Sequence, residues 1–256
     1  MQGLANFLPE GISVGAAVLL AVASFFTSAL TATFGVGGGV AMLTLMGLFV
    51  PVAALIPVHG SVQLGSNTGR AWHQRANIRL DITGPFIMGS VVGAIAGVFL
   101  VVQLPDALLK LVLSVFIIII TWAKIPGIDR LGKAGLVVAS TGLALLSMFV
   151  GATGPLMSVI LAQILAHDRK ALVATHAAAM TVQHGLKIVV FGLAGFAFWD
   201  WLPLIAIMIA LGFLGTVYGT RLLDRLPEES FRRWFKIGIT VLALGLMWEA
   251  LENWPY

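Results

Sequence analysis

Two sets of polar side chains in this chain recur at helical spacing inside otherwise apolar sequence. His59, Gln63, Ser66, Asn67 and Arg70 recur at helical spacing, and His176, Gln183, His184 and Lys187 repeat that face further along. Imidazole exchanges protons near neutral pH, carboxamides and hydroxyls orient a ligand, and guanidinium and ammonium groups attract negative charge. Each stripe forms one wall of a helix. Polar side chains inside a membrane are costly and face a cavity or a partner, so a stripe is a candidate site. Arg70 stands beside Arg75 and Arg79, which equally suits an anchor at the membrane surface, whereas Lys187 lies between Gly185-Leu186 and Ile188-Val189, well inside its apolar segment. A bound anion would offset that buried charge. His59, His176 and His184 are the candidates if transport is coupled to protons.

Two glycine-rich breaks complete the set, Gly35-Val36-Gly37-Gly38-Gly39 and Gly151-Ala152-Thr153-Gly154-Pro155. A break followed by a helix exposes unpaired backbone N–H groups at the positive end of the helix dipole, and glycine lets a ligand approach them closely. The plain alternative is a tight hairpin turn. No strand precedes the glycines and no acidic residue follows about twenty positions on, so a nucleotide fingerprint is excluded. Every Asp and Glu falls in or beside a connection or near a terminus, leaving no carboxylate in mid-segment. Such an interior suits a small anion better than a cation. No paired-Asp dyad, H-E-x-x-H or G-x-S-x-G is present, so the chain is not expected to be an enzyme, and no metal or cofactor is expected.

These residues must be positioned by membrane-spanning helices. Of 256 residues, 59% are hydrophobic and 10% charged, with a mean hydropathy of +1.01; a soluble domain carries about 25% charged residues. The formal charge of +4 is not gathered into a basic surface interleaved with aromatics, so nucleic acid is excluded as a partner and the lipid bilayer is expected. Absence of cysteine removes disulfides and thiolate chemistry. The chain starts without the basic residues of a secretory signal, so the first apolar segment is expected to be retained.

Apolar segments are predicted at 12–34, 38–50, 54–73, 82–103, 107–123, 134–150, 155–167, 171–198, 202–222 and 234–251. The second and seventh are short, and each follows a glycine break, which predicts a broken-helix hairpin. Aligning the breaks pairs His59 with His176 and Arg70 with Lys187 at one offset. A second offset pairs Gly93/Gly97 with Gly215/Gly219 and Leu104-Pro105-Asp106 with Leu226-Pro227-Glu228. The chain therefore reads as two diverged copies, 1–126 and 127–256, in one membrane domain. The small-residue pairs in the fourth and ninth segments predict close helix packing. Tryptophans 72, 122, 199, 201, 234, 248 and 254 are assigned mostly to an interfacial belt.

Lys and Arg cluster at 70–79, 124–133, 169–170 and 221–236, while connections around Pro51, Asp106 and Asp200 carry almost none. The positive-inside rule places the clusters in the cytoplasm and both termini outside. Equivalent Leu-Pro connections then fall on opposite faces, so the repeat is inverted. The predicted fold is an all-α polytopic membrane protein with two inverted-topology repeats, each a broken-helix hairpin plus three transmembrane helices, giving about eight to ten membrane segments.

The Gly35–Gly39 break, the polar third segment, Asp81 at the start of the next helix, the Gly93/Gly97 helix and Leu104-Pro105 together resemble the sulfite exporter TauE/SafE family, also described as toluene sulfonate uptake permeases. The resemblance runs through both halves. It implies transport of small sulfur-containing anions, such as sulfite, sulfoacetate and other organosulfonates, across the bacterial cytoplasmic membrane. It also implies that the two breaks contact the substrate. Thr153 and Pro155 stand where the first copy has Gly37 and Gly39, so unequal contributions from the halves are expected. A passive anion channel and a non-transporting scaffold or sensor are the alternatives.

Overall fold

The computed structural model describes residues 8–9, 11–34, 37–100, 106–122, 132–165, 168–222 and 228–253. Within these, every segment predicted from the apolar pattern is helical: α1 Val14–Phe34, α2 Gly38–Gly47, α3 Val52–His73, α4 Leu80–Leu100, α5 Asp106–Trp122, α6 Lys133–Val150, α7 Gly154–Ile164, α8 Arg169–Leu193, α9 Phe198–Leu222 and α10 Glu228–Glu252. A single 3₁₀ turn, Arg75–Asn77, joins α3 to α4. The segments Val14–Thr33, Leu80–Gly97, Lys133–Val150 and Phe198–Gly219 are long and apolar enough to cross a membrane. Helices α3 and α8, at 22 and 25 residues, are equally long, but the polar stripe lowers their hydropathy. At about 1.5 Å per residue, the 10 residues of α2 and 11 of α7 reach about half of a hydrocarbon core of roughly 30 Å.

The element ends differ from the expected ones where local chemistry overrides hydropathy. The apolar run 171–198 is interrupted after Leu193 by Gly195, whose φ of 89° suits glycine at a helix C-terminus, and the Phe196 N–H closes on the Phe191 carbonyl at 2.9 Å. Helix α9 then starts four residues early, with Pro203 in its second turn. Helix α10 starts at Glu228 rather than 234 because its first turns are polar yet helix-forming. The connections 104–105 and 226–227, together with Lys124, Asp129, Arg130, Asp224 and Arg225, lie outside the described residues.

Helix pairing crosses between the halves of the chain. Helix α1 packs along α9, α4 along α6, α3 along α8 and α5 along α10. Small residues set the first two contacts. A Cβ added at Gly215 or Gly219 would lie 2.0 or 2.4 Å from the carbonyl oxygen of Phe25 or Ala29, and one at Gly89 or Gly93 would lie 2.2 or 2.3 Å from that of Val137 or Thr141. The backbones therefore approach as closely as side-chain-free positions allow. Ser24 Oγ adds a hydrogen bond to the Met208 carbonyl at 2.6 Å, and Thr33 Oγ1 one to that of Gly219 at 3.0 Å. The pair of α5 and α10 is joined by Lys110 and Glu249 and by Trp122 Nε1 donating to Thr240 Oγ1 at 2.9 Å. That ion pair was not anticipated from sequence.

The outer faces of α1, α4 and α9 carry exposed Val18, Val22, Phe26, Met88, Val92, Ile95, Ile207, Phe213 and Leu214, as a lipid-facing surface requires. Trp72, Trp122, Trp199 and Trp248 are exposed as expected, but Trp201 is buried in the main core. Helix α2 is buried on nearly every side, so it lies within the bundle rather than on its periphery.

Candidate functional site

Glycine conformations end one helix and start the next at each break. Gly37, with φ of 109°, precedes α2, and Gly151, with φ of 83°, follows α6; a side chain would be strained at either. Gly38 is packed so closely on α1 that an added Cβ would be 1.8 Å from the Thr27 carbonyl oxygen. Neither Gly37 nor Thr153 caps its helix with a side chain. The first N–H groups of a helix have no intrahelical acceptor, so both N-termini keep free donors. The second offers one fewer, because Pro155 has no N–H.

The polar stripes of α3 and α8 meet these breaks in a matching way. His59 Nε2–H donates to the Gly39 carbonyl at 2.9 Å, and His176 Nε2–H donates to that of Gly154 at 3.1 Å. The two histidines, 1% and 4% exposed, hold opposite hairpins by the same bond. Thr153 Oγ1–H donates to Gln183 Oε1 at 2.9 Å, and Lys187 Nζ donates to the Gly151 carbonyl at 2.7 Å. Arg70 reaches Asn67 Oδ1 at 3.4 Å and Ser66 Oγ at 3.3 Å, and Asn67 Nδ2 donates to the Gln63 carbonyl at 2.9 Å. Arg70 and Lys187 are 3% and 0% exposed, and among the described residues neither has a carboxylate partner.

Between the breaks lies a cavity that leaves about 30 Å³ to the centre of a water molecule. Its walls combine the start of α2 and α7 (Gly37, Gly39, Ala152, Gly154, Pro155) with His59, Gln63 and Asn67 of α3 and His176 and His184 of α8. Since one water needs roughly 10–15 Å³ by such a measure, the cavity suits a ligand of a few heavy atoms. No carboxylate lines it, and no group of His and acidic residues among those described could hold a metal ion.

The cavity sorts the residues singled out from sequence. Gly38, Gly151, Thr153, Ser66, Arg70, Gln183 and Lys187 are not among its lining residues; of these, Arg70 reaches the lining residue Asn67, Lys187 holds the Gly151 carbonyl, and Thr153 and Gln183 bond each other. Gly35 and Val36 lie outside the described residues. Pro155, the last residue of the second break, also lines the cavity, as do Thr31, Val40 and Met180, which were not predicted. Thr31 bonds the Thr27 carbonyl within its own helix at 3.0 Å, a habit of threonine in any apolar helix that carries no signal of a site.

These helices form a multi-pass membrane protein with a cavity lined by the starts of two short helices and by the polar faces of α3 and α8. A family model described as sulfite exporter TauE/SafE matches residues 20–246, and the chain belongs to that family of membrane transporters. No curated protein and no solved structure matches.

Proposed function

We propose that the chain is a secondary transporter that moves small sulfur-containing anions, sulfite or short organosulfonates, across the bacterial cytoplasmic membrane by alternating access. The observation that carries this reading is the cavity: two helix N-termini, three imidazoles and two amides converge on it, and no carboxylate lines it. Free N–H groups and helix dipoles favour negative charge there. Arg70 and Lys187, without carboxylate partners among the described residues, add to that potential. The small volume favours a compact oxyanion.

Two inverted repeats related about the cavity would supply the moving parts. Exchanged pairing supports this: α1 with α9 in one place has its counterpart in α6 with α4, and His59 with Gly39 has its counterpart in His176 with Gly154. With the basic connections in the cytoplasm, both termini are outside.

Purified protein in liposomes is expected to exchange labelled sulfite or methanesulfonate with saturation. Gln63→Leu, which removes an amide from the cavity wall and its long contact with Asn67 Nδ2 at 3.5 Å, is expected to raise the half-saturating concentration about tenfold, equivalent to about 1.4 kcal/mol, with folded yield unchanged. Flux that never saturates would replace the carrier reading with a channel. Absence of flux and of binding would remove both.

A further inference from the structure

We infer that each anion enters the cavity together with one proton, shared at Nδ1 of His59 or His176. The inference rests on the transport reading above and concerns the proton stoichiometry of that same site.

Hydrogen-bond direction fixes the tautomer at both positions. A backbone carbonyl has no proton to give, so Nε2 of His59 and of His176 must carry the hydrogen in its bond to Gly39 or Gly154. A neutral ring then presents a bare lone pair at Nδ1. In both residues, as in His184, Nδ1 is buried and has no hydrogen-bond partner, and these rings line the cavity; His59 and His176 are the two whose Nε2 is committed to a carbonyl. Nδ1 is therefore the ring nitrogen whose hydrogen-bonding capacity the protein leaves unmet. A bare Nδ1 and a fully ionised oxyanion present lone pairs to each other and repel.

One proton between them turns that contact into a charge-assisted hydrogen bond, N–H⁺···O⁻ if the ring takes it or N···H–O if the oxyanion brings it. Either form holds one proton more than the separated anion and neutral ring. Charge balance points the same way. The ionisable groups facing the two rings are His184 and Lys187 of α8 and Arg70 of α3, while α2 and α7 contain none. All are cationic or potentially so. An anion seated among them balances their charge together with that of a protonated ring. No carboxylate on the wall competes for the proton.

The test is calorimetric titration of the purified full-length protein with methanesulfonate and with sulfite, each in two buffers of different ionisation enthalpy at one pH. After correction for the probe's own ionisation, uptake of about one proton per bound anion is expected, with affinity rising about tenfold for each unit of falling pH above neutrality. His59→Gln/His176→Gln, whose amides can donate to the anion without titrating, is expected to bind with no uptake. Wild-type binding with zero uptake overturns the inference and leaves the transport reading standing. Unchanged uptake in the double variant overturns the assignment to these rings, and if that variant does not fold, the wild-type count still decides. Binding of neither probe removes the inference and the transport reading together.

Discussion

Lys187 occupies a place that a buried ammonium can tolerate. It donates to the Gly151 carbonyl just past α6, where the helix dipole is negative, so much of the burial cost is offset by backbone rather than by an acid. Its stem passes Gly60 of α3, where an added Cβ would be 3.0 Å from Lys187 Cδ. The residue ties the end of α6 to α8 and reaches the cavity through the break that it holds. Thr153 does the same at shorter range. Thr153→Val keeps the shape but leaves Gln183, fully buried, without a partner for Oε1, and is expected to destabilise the protein by about 1–3 kcal/mol. A denaturation midpoint in detergent that does not move would show that Gln183 has found another donor. Much of the wall was legible in the sequence, because an imidazole or amide at helical spacing in apolar sequence is conspicuous. The division between residues that line the cavity and residues that brace it was not. Ligand contact and carbonyl capping demand the same side chains, and distance alone separates them.

Helices were legible from hydropathy because a bilayer demands continuous apolar length. Their ends were less so, since Gly195 stops α8 by backbone conformation within an apolar run. Close packing of the fourth and ninth helices could be read from paired glycines, but not the identity of their partners. Gly93→Ala and Gly219→Ala would push Cβ atoms to 2.3 and 2.4 Å from the carbonyl oxygens of Thr141 and Ala29. Backbone cannot yield as a side-chain tip can, so both are expected to lower the thermal midpoint strongly or abolish folded yield. Gly84→Ala and Gly245→Ala meet nothing within 4 Å and are expected to be neutral or to gain up to about 1 kcal/mol from helix propensity. Equal effects at all four positions, measured by thermal unfolding in one detergent, would contradict this packing.

At the scale of the whole molecule the outstanding quantity is orientation in the bilayer. The sequence contains no cysteine, so single cysteines report without background. Ala76→Cys, exposed within the 3₁₀ turn, is expected to react with an impermeant maleimide from the cytoplasmic side, and Ala197→Cys, exposed between α8 and α9, from the opposite side. Labelling of both from one side would contradict the charge-based topology. Pairing across the halves also governs how the protein is made. Helix α1 leaves the ribosome early, yet the glycines against which Ser24, Phe25 and Ala29 pack belong to α9, some 190 residues later. Until translation reaches that point its small-residue face has only lipid or an insertion factor to rest against. Helix α1 is thus made well before the helix that seats it, and a chain stalled before α9 would be a substrate for membrane quality control rather than half of a transporter.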